Sequence, residues 1–225
     1  MEHYGYGVLS YDVAHLLGGG VLLLSFTLLS QRRISAVINT YALQAIVLAT
    51  AAFWQGFVQH APHLYLTGAI ALAAKGVIIP IALHRFADRL RLTGAIETAL
   101  GIFPSMALGV ALVALAIMVV LPTTSQSQAL TREDLALALS VVLLGLLMMI
   151  TRRTVITQVI GFMSLENGLI LAAVGVEGMP LVVELSIAVL VLVAFVVFGV
   201  FFRRMRAQFR SLDTVHLDRV GEAHR

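Results

Sequence analysis

Apolar runs long enough to cross a membrane alternate with short polar links along this chain. A transmembrane helix needs about 20 mostly apolar residues. The runs that meet this length cover residues 7–30, 34–58, 63–85, 95–121, 132–150, 154–175 and 179–202. The pattern therefore predicts an all-α integral membrane protein with about seven transmembrane helices, followed by a polar tail.

Composition agrees with this pattern and excludes several kinds of site. Of the 225 residues, 60% are apolar and 12% are charged. Soluble domains contain roughly 45–50% apolar and about 25% charged residues. The chain has no cysteine, so it offers no thiolate ligand for a metal or an iron–sulfur cluster, and we expect no cofactor in it.

The arginines indicate the orientation of the predicted helices. If the N-terminus lies outside, 13 of the 14 arginines fall in cytoplasmic segments and only Arg132 lies outside. Cytoplasmic loops of membrane proteins carry an excess of basic residues. The sequence thus predicts an N-out, C-in protein that crosses the cytoplasmic membrane of a bacterium or archaeon several times.

Two segments of the chain resemble each other. "RRISAVINTYALQAIVLATAAF" begins the second predicted span, and "RRTVITQVIGFMSLENGLILAAV" begins the sixth. This pattern favours two parallel three-helix units, at residues 1–90 and 131–203, joined by a fourth span and outer loop at 91–130 and followed by a cytoplasmic tail at 204–225. The alternative is two ordinary helices that look alike by composition.

Lys75 is the only lysine in the chain, and it lies in the middle of the third predicted span. A charged group at this depth costs at least ~2.5–3.5 kcal/mol on insertion scales, so it usually faces the interior of a helix bundle. Pro80 lacks the amide that would bond the carbonyl of Gly76, which leaves an acceptor near the ammonium group. A functional role is favoured over a lysine that reaches to the membrane interface.

Glu166 lies thirteen residues beyond the arginine pair that opens the sixth span, or ~19 Å along a helix. That depth is slightly past the membrane midplane. A carboxyl balanced between burial and a nearby cation can take up and release a proton. The alternative is a carboxyl that only locks two helices together.

Other polar residues are weaker candidates for a proton path. Gln44 and Asn167 lie at mid-span and would orient water or bond helices to each other. Glu184 lies nearer the outer end of the seventh span, and Glu97 lies near the cytoplasmic start of the fourth. Asp12 and His15 share one face of the first helix, but that pair alone makes an incomplete metal site.

The last three spans resemble a known small membrane subunit. An arginine pair, a mid-helix glutamate, a second glutamate in the next span and a basic end running into "LDTV" are similar to subunit K (4L) of respiratory complex I. They are also similar to the matching small subunit, of C type, in cation/proton antiporters that are built from several subunits. The full length and the strings "YALQ", "ENG" and "GMPLVVEL" resemble the hydrogenase-4 component E family of group 4 membrane-bound hydrogenases and formate hydrogenlyase-type complexes.

The resemblance covers the whole chain for component E and about residues 131–220 for subunit K. It implies a non-catalytic subunit in the membrane arm of a respiratory or hydrogenase complex, beside antiporter-like subunits and below a cytoplasmic redox arm. Nickel–iron and iron–sulfur centres are then expected in partner subunits. By position, Glu166 matches the first of the two subunit K glutamates and Glu184 matches the second, whereas Lys75 is analogous to buried lysines of antiporter-like subunits.

Three other functions are consistent with parts of the pattern. A purely structural scaffold subunit would contain the same helices. A cation/proton antiporter subunit or other ion transporter would need polar clusters at broken helices, for which Pro80 and Pro104 are the candidates. A retinal-binding protein would use Lys75 for a Schiff base, but it would also need aromatic walls, and Trp54 is the only tryptophan in the chain.

Overall fold

The computed structural model describes residues 2–89, 100–123 and 129–175, and nearly all of them are helical. The elements are α1 (Glu2–Ser30), α2 (Ile34–Val58), α3 (Pro62–Ile70), a π-helical segment (Ala71–Ile78), α4 (Ile79–Arg89), α5 (Ile102–Thr123), α6 (Ala129–Thr151) and α7 (Val155–Gly175). Since α3, the π-helical segment and α4 are continuous, these elements form six helices long and apolar enough to cross a membrane. The all-α membrane architecture is confirmed. The predicted seventh span at 179–202 and the tail lie outside the described residues.

The fourth predicted span, 95–121, begins too early. Residues 100 and 101 are not helical, and α5 begins at Ile102. Pro104 lies in the first turn of α5, where its missing amide removes no helical hydrogen bond. The amide of Ser105 donates to the Gly101 carbonyl at 3.1 Å. The prediction that Pro104 breaks the fourth span is therefore wrong, because this proline starts the helix.

Helices α6 and α7 approach each other closely through glycines. A Cβ atom on Gly145 of α6 would lie 2.5 Å from the amide nitrogen of Leu165 on α7. A Cβ atom on Gly168 of α7 would lie 2.8 Å from the amide nitrogen of Val142 on α6. Glycine is thus needed at both positions, and small residues of this kind let membrane helices pack backbone against backbone.

Arg152 joins the short link between α6 and α7 to the end of α1. Its side chain is buried, and Nη2 donates to the carbonyls of Leu28 at 3.0 Å and Leu29 at 2.7 Å. These carbonyls belong to the last turn of α1, where the helix itself supplies no donors. Burial lowers the pKa of Arg152 from its ordinary value, but a guanidinium remains charged in proteins.

The same contact positions the arginine pairs. It places the end of α1, which runs directly into Arg32 and Arg33, beside the link that contains Arg152 and Arg153. Both pairs therefore lie at one end of the bundle. This agrees with the side assignment that the arginine count predicts.

Candidate functional site

Lys75 lies in the π-helical segment and is almost fully buried. At the end of this segment the amide of Ile79 donates to the carbonyl of Ala74, five residues earlier. In that register the acceptor opposite Pro80 is the carbonyl of Lys75 itself rather than that of Gly76. Pro80 cannot donate to it, so the helix is wider at the lysine than the sequence predicts. Such π-helical turns occur frequently at functional sites.

Lys75 and Glu166 form an ion pair inside the bundle. The distance from Lys75 Nζ to Glu166 Oε2 is 3.0 Å, and the two side chains are 3% and 4% exposed. Lys75 belongs to the third span and Glu166 to α7, so the pair joins two helices near the middle of their lengths. Two charges can remain buried at this depth because each is the partner of the other.

Amide side chains extend this pair toward α2. Lys75 Nζ also donates to Asn167 Oδ1 at 3.1 Å, and Asn167 Nδ2 donates to Gln44 Oε1 at 3.2 Å. Both amide side chains are fully buried. The structure therefore brings together four of the six residues that the sequence selected. The other two, Glu97 and Glu184, lie outside the described residues.

Two serines complete the polar cluster, and the sequence did not single them out. Gln44 Nε2 donates to Ser25 Oγ at 2.7 Å and to Ser164 Oγ at 3.0 Å. Ser25 Oγ in turn donates to the carbonyl of Val21 at 2.9 Å. Serine is common in membrane helices, so composition gave no signal. The spacing did contain one for Ser164, which shares a helix face with Asn167 three residues later.

Two buried polar atoms beside the ion pair have no hydrogen-bond partner among the described residues: Glu166 Oε1 and the Tyr41 hydroxyl. Tyr41 lies one helical turn from Gln44 on α2 and packs in the core with Ile79 and Ile160. Its hydroxyl interacts electrostatically with Glu166. Unpaired buried polar atoms are unfavourable and often mark a site that binds water or takes up a proton.

The described residues contain no group of three or more histidine, cysteine, aspartate or glutamate side chains that could hold a metal ion. Asp12 is exposed. His15 instead pairs with two carboxylates of α6, at Glu133 and Asp134. The sequence missed this pairing because 118 residues separate His15 from Glu133.

Comparison with known proteins gives relatives of nearly full length. The chain is 30% identical over 210 residues to the uncharacterized protein Rv0085 of Mycobacterium tuberculosis, covering 91% of this chain and 92% of that protein. It is 28% identical over 207 residues to hydrogenase-4 component E of Escherichia coli K12, covering 91% of this chain and 95% of the relative. The same values hold for hydrogenase-4 component E of Shigella flexneri. No protein-family model and no solved structure matches the chain.

Proposed function

The chain belongs to the same family as the uncharacterized protein Rv0085 of Mycobacterium tuberculosis, and from this premise and its similarity to hydrogenase-4 component E we propose that it is a non-catalytic membrane subunit of a complex I-related respiratory or hydrogenase complex. In this complex its buried groups form part of a proton path that is coupled to redox chemistry in other subunits. The observation that carries the proposal is the buried ion pair of Lys75 and Glu166 in the middle of the bundle.

The chemistry of the pair suits stepwise proton transfer. A carboxylate can accept a proton, and an ammonium group can supply or stabilise one. Glu166 holds Lys75 through one oxygen, while its other oxygen has no hydrogen-bond partner in the described part of the chain. Glu166 is therefore the group that accepts and releases the proton in this proposal. Lys75 tunes the carboxyl electrostatically, or acts as a second relay site.

The neighbouring amides have a positioning role in this proposal. Asn167 accepts a hydrogen bond from Lys75 and donates one to Gln44. This arrangement fixes the lysine side chain beside the carboxylate and can orient water next to it. Glu97 and Glu184 stay predicted members of the path.

The proposal assigns the redox chemistry to partner subunits. Nickel–iron and iron–sulfur centres would lie in a peripheral arm on the cytoplasmic side, and antiporter-like membrane subunits would lie beside this chain. The chain has no cysteine with which to ligate such clusters. We place the complex in the cytoplasmic membrane of a bacterium or archaeon.

Glu166→Gln tests the function. The amide keeps the shape of the carboxylate but cannot release a proton, so we expect proton translocation to fall by about tenfold or more. Proton translocation and redox turnover are measured together on the intact complex in sealed vesicles. Asp88→Asn, which neutralises an exposed carboxylate at the end of α4, is the matched control.

A purely structural subunit would give a different result. The same contacts join α2, the third span and α7, so they could serve only to hold these helices together. In that case Glu166→Gln would leave both proton translocation and redox turnover at the level of Asp88→Asn in every complex that assembles. Such a result would contradict the proton-path proposal.

A further inference from the structure

A second polar cluster lies at the end of the bundle opposite to the arginine pairs. His15 of α1 lies between two carboxylates of α6. Its Nε2 is 2.6 Å from Glu133 Oε2, and its Nδ1 is 3.3 Å from Asp134 Oδ1. The Nδ1 atom is shielded from solvent and has no hydrogen-bond partner among the residues that the structure describes.

The three side chains form a gradient from the interior to the surface. The exposed fraction is 14% for Asp134, 26% for His15 and 57% for Glu133. The imidazole therefore presents one nitrogen to the more buried carboxylate and the other to the more exposed one. A histidine placed in this way can receive a proton on one nitrogen while it gives up the proton on the other.

A narrow cleft leads inward from Asp134. It lies between α1, α2, α6 and α7, and its lining includes Asp134, Gln55 and Leu171. The cleft has room for about one water molecule. Leu171 is four residues from Asn167 on α7, which is ~6 Å along the helix. The cleft thus ends about one helical turn from the polar cluster around Lys75 and Glu166.

The span between the two clusters is short. Asp134 packs beside Gly175, where an added Cβ atom would lie 3.6 Å from Asp134 Oδ2. Gly175 is nine residues beyond Glu166, or ~13 Å along α7. The cleft covers the outer part of this distance. The remaining ~6 Å is about two hydrogen-bond lengths, which one water molecule can bridge.

We propose that Asp134, His15 and Glu133 form the outer proton-exchange site of this chain. A proton that leaves the Lys75–Glu166 cluster passes through the cleft to Asp134 and then to Nδ1 of His15. The proton on Nε2 passes to Glu133 and from there to the outer water, and rotation or reprotonation of the ring restores it. The reverse order carries protons inward. This inference rests on the proposed function and adds a site at which the path reaches the outer surface.

His15→Asn and Asp134→Asn test this site in the intact complex in inverted sealed vesicles, whose lumen corresponds to the outer side. Asparagine at 15 can still donate to Glu133 but cannot carry a proton. We expect translocation to fall by about tenfold in both variants, with redox turnover in uncoupled vesicles unchanged. Asp12→Asn, which removes an exposed carboxylate one turn away on α1, should leave translocation unchanged.

Imidazole trapped in the lumen separates a proton carrier from a structural contact. It should restore much of the translocation of His15→Asn, since a mobile base can replace the missing ring, whereas it cannot repair a lost packing contact. Translocation that stays at the parent level in both variants, or that falls without rescue by imidazole, would overturn the outer site. If Glu166→Gln blocks translocation in the same experiment, the proposed function stands without the outer site. If Glu166→Gln also has no effect, the proposed function itself is wrong.

Discussion

Lys75→Met is expected to destabilise the folded chain by about 3 kcal/mol or more, because it leaves the buried carboxylate of Glu166 without its cation. Methionine fills a similar volume and is apolar, so loss of packing contributes little. Asn167 Oδ1 loses a donor in the same variant. The free energy of unfolding can be measured by denaturant titration of the chain in detergent micelles.

The double variant Lys75→Met/Glu166→Gln shows whether the charge is the cause. Both side chains are then neutral, so we expect most of the lost stability to return. A double-mutant cycle gives the coupling energy between the two positions. Additive losses, with the double variant less stable than either single variant, would contradict the ion pair of Lys75 and Glu166.

Gly145→Ala is expected to have the second large effect. The new Cβ atom would lie 2.5 Å from the amide nitrogen of Leu165 and 2.8 Å from its Cα atom. Because both contacts are with the backbone, α6 and α7 must move apart, and overpacking of this kind costs about 1–3 kcal/mol. Leu165 immediately precedes Glu166, so the displacement also moves the carboxylate, and we expect proton translocation to fall with stability.

Gly19→Ala is the control for this effect. It adds the same atoms to a transmembrane helix, but its Cβ atom would meet nothing within 4 Å in the described part of the chain. Alanine favours a helix over glycine by up to about 1 kcal/mol, so this variant should be as stable as the parent or slightly more stable. Equal thermal midpoints for the two variants would contradict the close approach of α6 and α7.

Much of the fold follows from the sequence because the membrane restricts the choices. In hydrocarbon every backbone group must be bonded within the chain, so an apolar run of sufficient length becomes a helix. The second span was predicted at 34–58 and is observed at Ile34–Val58. The start of α5 was wrong because Pro104 can either begin a helix or interrupt one, and hydrophobicity does not distinguish the two. The proposed duplication stays a prediction.

The polar cluster was predictable for a related reason. Charged and amide side chains are rare in membrane helices and must find partners there, so Lys75, Glu166, Asn167 and Gln44 were selected individually and lie together in the structure. Their pairing was not predictable, since it depends on how the helices rotate and pack. The same reason concealed the π-helical segment around Lys75.

The central claim is that Glu166 changes its protonation state while the complex works. Infrared difference spectroscopy of the intact complex during turnover measures this most directly, because a protonated carboxyl has a separate C=O stretching band that shifts in D₂O. We predict a carboxyl band that changes with turnover in the parent and is missing in Glu166→Gln. Identical difference spectra from the parent and the variant would contradict the claim and leave Glu166 as a structural partner of Lys75.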